Sequence, residues 1–375
     1  MSNLFKNILP KLSFLNKGDG DSALGIDIGS SAIKIVEIKK RKGKAVLETY
    51  GAISLGPYAE TEVGRVTNLP IEKVVQALKE VLKQSGVTTS SSALSIPVQS
   101  SLIFTISLPP QVKESDIPTI VPTEARKYIP LPITEVSLDY FILPEKEPTF
   151  EEMNNPEAVS IPTSNTEVLV VAIQNDAVSK FRSIVSESNL DAGFFEIETF
   201  SSVRANFEHE LSLVLLMDFG ASSTKLTLVE FGMVKGHHTI NRGGAEITAS
   251  IAESLSIPFD KAEEMKKEYG LFENPTEKSL ADIIKVHIDY IFSETNNVLL
   301  GYERKYNKTI SKVIFTGGGA MLKGLKEVAS GSFKADIETG HPFSKVGAPE
   351  FLNKVLETTG PEFAIALGLA LRRLQ

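Results

Sequence analysis

Two short stretches of this chain, separated by nearly half its length, say almost the same thing. Leu24-Gly-Ile-Asp-Ile-Gly-Ser-Ser-Ala-Ile-Lys34 and Leu216-Met-Asp-Phe-Gly-Ala-Ser-Ser-Thr-Lys225 each run from an apolar strand into Asp-x-Gly, then small hydroxyl residues, then a lysine seven positions after the aspartate. One Asp-x-Gly is a common turn. Two in the same setting predict a duplicated fold with a pair of phosphate-gripping hairpins facing one cleft. Glycine lets backbone N–H groups approach a phosphate, and carboxylates hold the water shell of a divalent ion. Gly29, Ser30 and Ser31 are the phosphate residues expected on the first hairpin, and Gly220, Ser222, Ser223 and Thr224 on the second. Asp27 and Asp218 are the residues expected on the metal side, reaching magnesium through water. Lys34 reads either as a phosphate ligand or as a solvated strand lysine.

At 375 residues the chain is long enough for two domains. A net charge of −8 without a basic block argues against nucleic acid as a partner. The absence of cysteine excludes disulfides, thiol catalysis and cysteine metal sites, and suits a reducing cytoplasm. Of the five histidines only His237 and His238 adjoin, and none has the spacing of a zinc site. No apolar run approaches the ~20 residues of a membrane span, and the N-terminus lacks a signal-peptide pattern. Residues 1–21 read as a flexible tail, with Leu4, Phe5, Ile8, Leu9 and Leu12 on one face and Pro10 interrupting it. It is a disordered leader, a membrane-surface contact or a docking peptide.

From Leu24 the pattern is mixed α/β. Strands are expected at Ile33–Ile38 and Ala45–Ile53, and a helix from Ile71 to Gly86. Ala93–Leu108 reads as strand, Val121–Tyr128 as a short helix, Val136–Leu143 as strand, and Pro144–Thr166 as a long loop. Val168–Ile173 and Ala177–Ser188 complete an inserted α+β subdomain. The second half repeats the first, with strands at Leu213–Met217 and Lys225–Glu230 and helices at Ala245–Leu255, Lys261–Tyr269 and Leu280–Arg304. Lys312–Phe315 then runs into Gly317, Gly318 and Gly319, which let a flat ring or sugar lie against the backbone up to Leu322. There is neither a P-loop nor a Rossmann glycine fingerprint.

These elements, in this order, resemble the actin-like ATPase superfamily, with two duplicated domains flanking a nucleotide cleft. Ile26–Lys34 resembles its first phosphate element, Met217–Thr224 its second and Thr316–Leu322 its adenosine element. Glu196–Ala205 and Phe363–Leu371 resemble its two connecting helices. Ala23–Lys34, Ser95-Ile-Pro97, Glu124-Ala-Arg-Lys-Tyr-Ile-Pro130, Leu138-Asp-Tyr140, Arg242–Thr248 and Lys261–Lys266 further resemble the PilM family of type IV pilus assembly. The resemblance implies an FtsA-like 1C insert at 100–188, and subdomain 1A at 22–99, 189–212 and 360–375. It implies subdomain 2A at 213–247 and 306–359, and 2B at 248–305. ATP and Mg2+ are the implied cofactors.

The resemblance also assigns roles. Gly243 and Gly244 would bring a helix N-terminus toward the nucleotide, and Glu263 and Lys266 would touch ribose and base. Glu198 would orient the hydrolytic water or else cap its helix, so hydrolysis itself stays open between slow and none. The implied partner is the N-terminal cytoplasmic peptide of a PilN-type inner-membrane protein, besides other pilus components. Its groove would have walls at Ile96, Phe104 and Tyr128. The protein would then be cytoplasmic and peripheral to the inner membrane, associated with it through the partner. Asn7-Ile-Leu-Pro10 is similar to the Asn-Leu-Leu-Pro core of such peptides, which raises self-association through the tail. The alternatives are a sugar or acid kinase on the same fold, or an FtsA-like filament protein. The sequence ends at Arg372-Arg-Leu-Gln375 directly after the second connecting helix, where FtsA has its amphipathic tether.

Overall fold

In the computed structural model, which describes residues 22–143, 165–208, 210–273 and 277–375, the repeat in the sequence is a repeat of topology. The expected tail at 1–21 and nearly all of the expected long loop lie outside these residues. The first half is a five-stranded sheet of β1 Ser22–Ile28, β2 Ala32–Arg41, β3 Lys44–Ser54, β4 Ser91–Ile96 and β8 Asp191–Ile197, in the order β3-β2-β1-β4-β8. The second half is β9 Val214–Phe219, β10 Thr224–Glu230, β11 Met233–Ile240, β12 Lys312–Thr316 and β13 Asp336–Thr339, in the order β11-β10-β9-β12-β13. In each, three strands form an antiparallel meander and two more lie parallel to the first. The central strands β1 and β9 are covered on both faces, which is why they read as continuous apolar runs rather than alternating ones.

Register explains the spacing of the repeat. Asp27 pairs with Lys34 across the first hairpin, and Asp218 with Lys225 across the second. A lysine seven residues after each aspartate is therefore its direct cross-strand neighbour.

Between β4 and β8 the chain builds a separate three-stranded sheet of β5 Ser101–Leu108, β6 Val136–Ile142 and β7 Thr166–Gln174, in the order β5-β7-β6. The single strand expected over Ala93–Leu108 is thus two strands in two sheets. Pro97 breaks it, because proline cannot continue the ladder, and a short 3-10 turn at Val98–Ser100 redirects the chain. Helix α2 Ile117–Ala125 packs Ile117, Val121 and Ala125 onto this small sheet. On the larger first sheet, α1 Ile71–Gln84 and α3 Asn175–Glu187 bury Val74, Leu78, Val81, Phe181 and Ile184. Helices α5 Gly244–Leu255, α6 Phe259–Tyr269 and α7 Leu280–Tyr306 follow the second meander, with α8 Leu325–Ser332 and α9 Asn353–Thr359 after β12. No helix among the described residues is long and apolar enough to cross a membrane.

Two helices join the halves, α4 Glu198–Asn206 and α10 Ala364–Leu374. The first begins later than expected, since Glu196 and Ile197 close β8. Their crossing is close: a Cβ on Gly368 would meet the Ser201 carbonyl at 1.9 Å, and one on Gly25 would meet the Ala366 carbonyl at 1.8 Å. Beside this crossing the buried Glu196 accepts both guanidinium arms of Arg204 at 2.7 Å, Arg372 at 2.6 Å and the Ser201 hydroxyl. Burial alone would raise its carboxyl, but Arg204, Arg372 and Ser201 outweigh it and hold it below its ordinary 4.5. The unfolded chain therefore takes up a proton near pH 4.5 that the folded one refuses. This contribution is fully present above that pH and lost as pH falls through the lower folded value. Glu196→Gln removes the one carboxylate charge that Arg204 and Arg372 share and should cost about 3 kcal/mol at neutral pH, with a flatter acid limb in urea unfolding measured as a function of pH.

Candidate functional site

The two hairpins close in the same way. Gly29 N–H donates to the Ala32 carbonyl and Gly220 N–H to the Ser223 carbonyl, each at 3.0 Å. Their tips meet, with Ser30 Oγ 3.2 Å from Ser222 Oγ. Beneath them is a cleft of about 520 Å3. It is lined from the first half by Asp27, Gly29, Ser30, Ser31 and Lys34, and from the second by Asp218, Gly220, Ser222 and Ser223. Gly317 and Gly318 line it after β12, and Glu198 reaches it from α4. The structure therefore brings together twelve of the residues expected for the site, at the carboxyl ends of the central strands where α/β sheets open.

The carboxylates are held individually. Asp27 Oδ1 accepts the Ser95 hydroxyl at 2.8 Å. Burial pushes the Asp27 carboxyl up, opposed by the charge of Lys34. Glu198 Oε1 accepts the Val98 N–H at 2.8 Å, and its Oε2 pairs with Lys225 Nζ at 2.7 Å. Burial, with Asp27 and Asp218 nearby, pushes the Glu198 carboxyl up against the pull of Lys225. Both oxygens of the residue expected to orient water thus already have partners, and it does not act as the helix cap. Lys225 also lies 3.4 Å from Asp218 Oδ2. Burial works against its charge, but Glu198 and Asp218 outweigh this and hold the ammonium protonated. Among the described residues no three acidic or histidine side chains are arranged to hold a metal ion directly. Asp27 and Asp218 fit a hydrated ion only through water.

Several expected residues stand elsewhere. Thr224 turns its hydroxyl away, to the Arg242 carbonyl at 2.9 Å. Gly243 and Gly244 buttress the second hairpin from behind. Gly244 and Ala245 N–H donate to the Gly220 and Ala221 carbonyls, and a Cβ on Gly243 would meet the latter at 2.4 Å. The start of α5 is therefore satisfied by protein and is not an open anion site. Glu263 and Lys266 pair with each other at 2.6 Å, and both bond Thr248. Lys266 also donates to the Gly244 carbonyl at 2.9 Å. This closed knot lies outside the cleft lining. Gly319 packs on Phe219, and Leu322 on the core of the second half. Ile96 is 1 % exposed in the first core and forms no groove wall. Phe104 and Tyr128 do meet, stacked with centroids 5.0 Å apart, and Tyr128 is half exposed on the insert.

Lys225 and Gln99, whose amide donates to Ser223 Oγ at 3.1 Å, line the cleft without an expected role there, and the buried Ser95 supports Asp27 from outside the lining. Lys225 was signalled by the repeat itself. Gln99 had no signal, because only the turn at Pro97 carries it across. Thr67, on the loop before α1, also bonds the Ser30 carbonyl through its N–H at 2.8 Å.

Gly317 is required by the carboxylate beside it. Its φ is +81°, and a Cβ there would lie 2.2 Å from Asp218 Oδ1. Gly317→Ala combines a left-handed backbone with that clash, and should destabilise by about 2 kcal/mol in chemical unfolding. An unchanged midpoint would show that Asp218 can yield.

Comparison with known proteins agrees with this geometry. The family description "Type IV pilus assembly protein PilM" matches residues 25–374. The cell division protein FtsA of Neisseria meningitidis is 25% identical over 92% of this chain and 88% of its own. FtsA of a Staphylococcus epidermidis strain is 25% identical over 88% and 77%. A solved PilM-PilN type IV pilus biogenesis complex aligns with a TM-score of 0.77 at 25% identity, covering 94% of this chain and 98% of that one. The ethanolamine utilization protein EutJ of Carboxydothermus hydrogenoformans aligns with a TM-score of 0.53 at 15% identity over 96% and 92%, a likeness of fold. MreB5 of Spiroplasma citri bound to AMPPNP aligns at 0.50 and 10% identity over 94% and 95%. The fold is that of the actin-like ATPases, and the chain belongs to the PilM family of type IV pilus assembly proteins.

Proposed function

We propose that this chain is a cytoplasmic ATP-binding scaffold of the type IV pilus machinery, peripheral to the inner membrane. In this reading it grips ATP between its hairpins and presents the small inserted sheet to the N-terminal cytoplasmic peptide of a PilN-type membrane protein. The observation that carries the reading is the meeting of the two matched hairpins at Ser30 and Ser222 over one cleft, in a chain of the PilM family. Backbone N–H groups and serine hydroxyls at the tips suit phosphate oxygens. Magnesium would travel with the phosphates and meet Asp27 and Asp218 through its waters. The neighbour solved as a PilM-PilN complex supports a PilN-type partner. The separate small sheet β5-β7-β6 supports an inserted 1C subdomain, although α3, expected within the insert at 100–188, packs on the first sheet instead.

Glu198 supports binding more than turnover. A general base or water-orienting group needs an oxygen within hydrogen-bond reach of the water. Here Oε1 holds Val98 and Oε2 holds Lys225. That arrangement supports slow or absent hydrolysis.

The experiment is calorimetric titration with a partner-derived peptide, with and without Mg-ATP. Phe104→Ala and Tyr128→Ala remove the stacked pair on the insert and should each weaken peptide binding about 5–30-fold while leaving ATP affinity unchanged. Peptide affinity that survives both substitutions would place the groove elsewhere. A phosphoryl acceptor turned over faster than background hydrolysis would make the protein a kinase instead.

A further inference from the structure

One contact crosses between the halves that neither the hairpins nor the connecting helices make. Between β3 and α1 the chain runs as a strap, residues 55–69, beside the cleft. Both of its ends are bonded to the first hairpin. Leu55 N–H donates to the Ser31 carbonyl at 2.9 Å, and Thr67 N–H to the Ser30 carbonyl at 2.8 Å. Its middle reaches the second half, where the Arg65 guanidinium lies over the Phe259 ring, 4.2 Å from the centroid. Gly64, at φ +93°, brings the backbone against α6, so that a Cβ there would lie 3.5 Å from the Glu263 carboxyl carbon.

Both sides of this contact are held in place. Within the strap, Thr61 N–H donates to the Gly56 carbonyl at 3.0 Å, and Arg65 Nε donates to Glu62 at 2.5 Å, which aims the guanidinium. Across the cleft, α6 is tied to α5 by Glu263, Lys266 and Thr248. Phe259 is only 3 % exposed, yet it belongs to none of the apolar core clusters. The face of its ring that Arg65 covers returns to water if the halves part. Leu55, Val66, Thr67, Asn68 and Leu69 line the cleft, whereas Gly64, Arg65 and Phe259 do not. The strap is thus a wall of the cleft, and its fastening lies beside the ligand's space rather than in it.

We infer that the strap is a gate for the nucleotide: Arg65 on Phe259 holds the cleft shut, and nucleotide enters or leaves when that contact breaks. This rests on the nucleotide reading above. Such a latch has a kinetic signature. Because its two residues do not border the ligand's space, loosening them favours the open cleft equally with and without nucleotide. Entry and exit then quicken by the same factor, and affinity, their ratio, is unchanged. A residue that held the ligand would change chiefly the exit rate. The strength of a cation–π pair sets the factor at about threefold to tenfold.

The test is stopped-flow binding and release of the fluorescent, non-hydrolysable nucleotide mant-AMPPNP in excess Mg2+ on the full chain. Arg65→Gln keeps length and removes charge; Phe259→Leu keeps an apolar side chain and removes the ring. Each should raise the association and dissociation rate constants together by about threefold to tenfold, with the dissociation constant changed less than about twofold. The double variant should be no faster than the faster single one, because both break the same contact. Unchanged rates overturn the gate and leave the nucleotide reading intact. So does a rise in the dissociation rate alone, which would make Arg65 a ligand contact, and so does a double variant whose acceleration is the product of the singles. Wild-type protein that binds no mant-AMPPNP overturns both readings. Should Phe259→Leu fail to fold, the exposed-side Arg65→Gln decides alone, through whether its two rates move together.

Discussion

The cleft depends on a knot that lies outside it. Glu196, wholly buried, ties the end of β8 to α4 through Arg204 and Ser201, and to α10 through Arg372. Two residues later, Glu198 starts α4 and reaches the cleft. A buried carboxylate with too few donors would be costly, yet here two guanidinium groups and a hydroxyl satisfy it. An apolar substitute could fill the volume but could not fix the angle at which α4 leaves the sheet. The crossing of the connecting helices adds the steric half of the constraint, because Gly368 and Gly25 let α10 lie directly on Ser201 and β1. The position of Glu198 follows from both.

Duplication set up two equivalent half-sites, and divergence made them unequal. On each side the aspartate at the end of the central strand has a hydroxyl on the parallel neighbour: Ser95 on β4, Thr316 on β12. In the first half that hydroxyl bonds Asp27. In the second, Thr316 turns to the Pro361 carbonyl, and Lys225 takes its place at Asp218. A neutral hydroxyl bonds one carboxylate and an ammonium the other, while Lys34 and Lys225 both act on Asp27 through their charge. The pocket is therefore asymmetric in its hydrogen bonds while symmetric in backbone.

The hairpins were legible because strand periodicity, the turn glycine and the paired lysine all coincide, and each leaves its own mark on a sequence. The glycines were harder, since one signal has several causes. Gly317 is there for the Asp218 carboxylate, Gly243 for the backbone of the hairpin it supports, and Gly319 for Phe219. Only the first two of the triple glycine reach the cleft. Ile96 was misplaced because an apolar residue just before Pro97 fits a groove wall and a core strand equally well, and tertiary packing decides. Glu263 and Lys266 are one helical turn apart, as expected, but satisfy each other and Thr248. Pairing on a helix says nothing about which way the pair faces.

The break at Pro97 that hid the two strands is also where cleft and insert join. Val98 N–H holds Glu198, Gln99 holds Ser223, and β5 starts at Ser101 and carries Phe104. Gln99 and Phe104 are thus separated by no more than about 16 Å of extended chain. From the other side the insert is held by Thr105 on the Lys235 carbonyl and by Tyr306, at the end of α7, on Glu167. The small sheet is fixed to both halves. A change in the spacing of the hairpins cannot be absorbed by β5, which is bonded along its length to β7. It has to be taken up where Gln99 meets Ser223, or passed along β5 to Phe104, which stacks on Tyr128 just after α2.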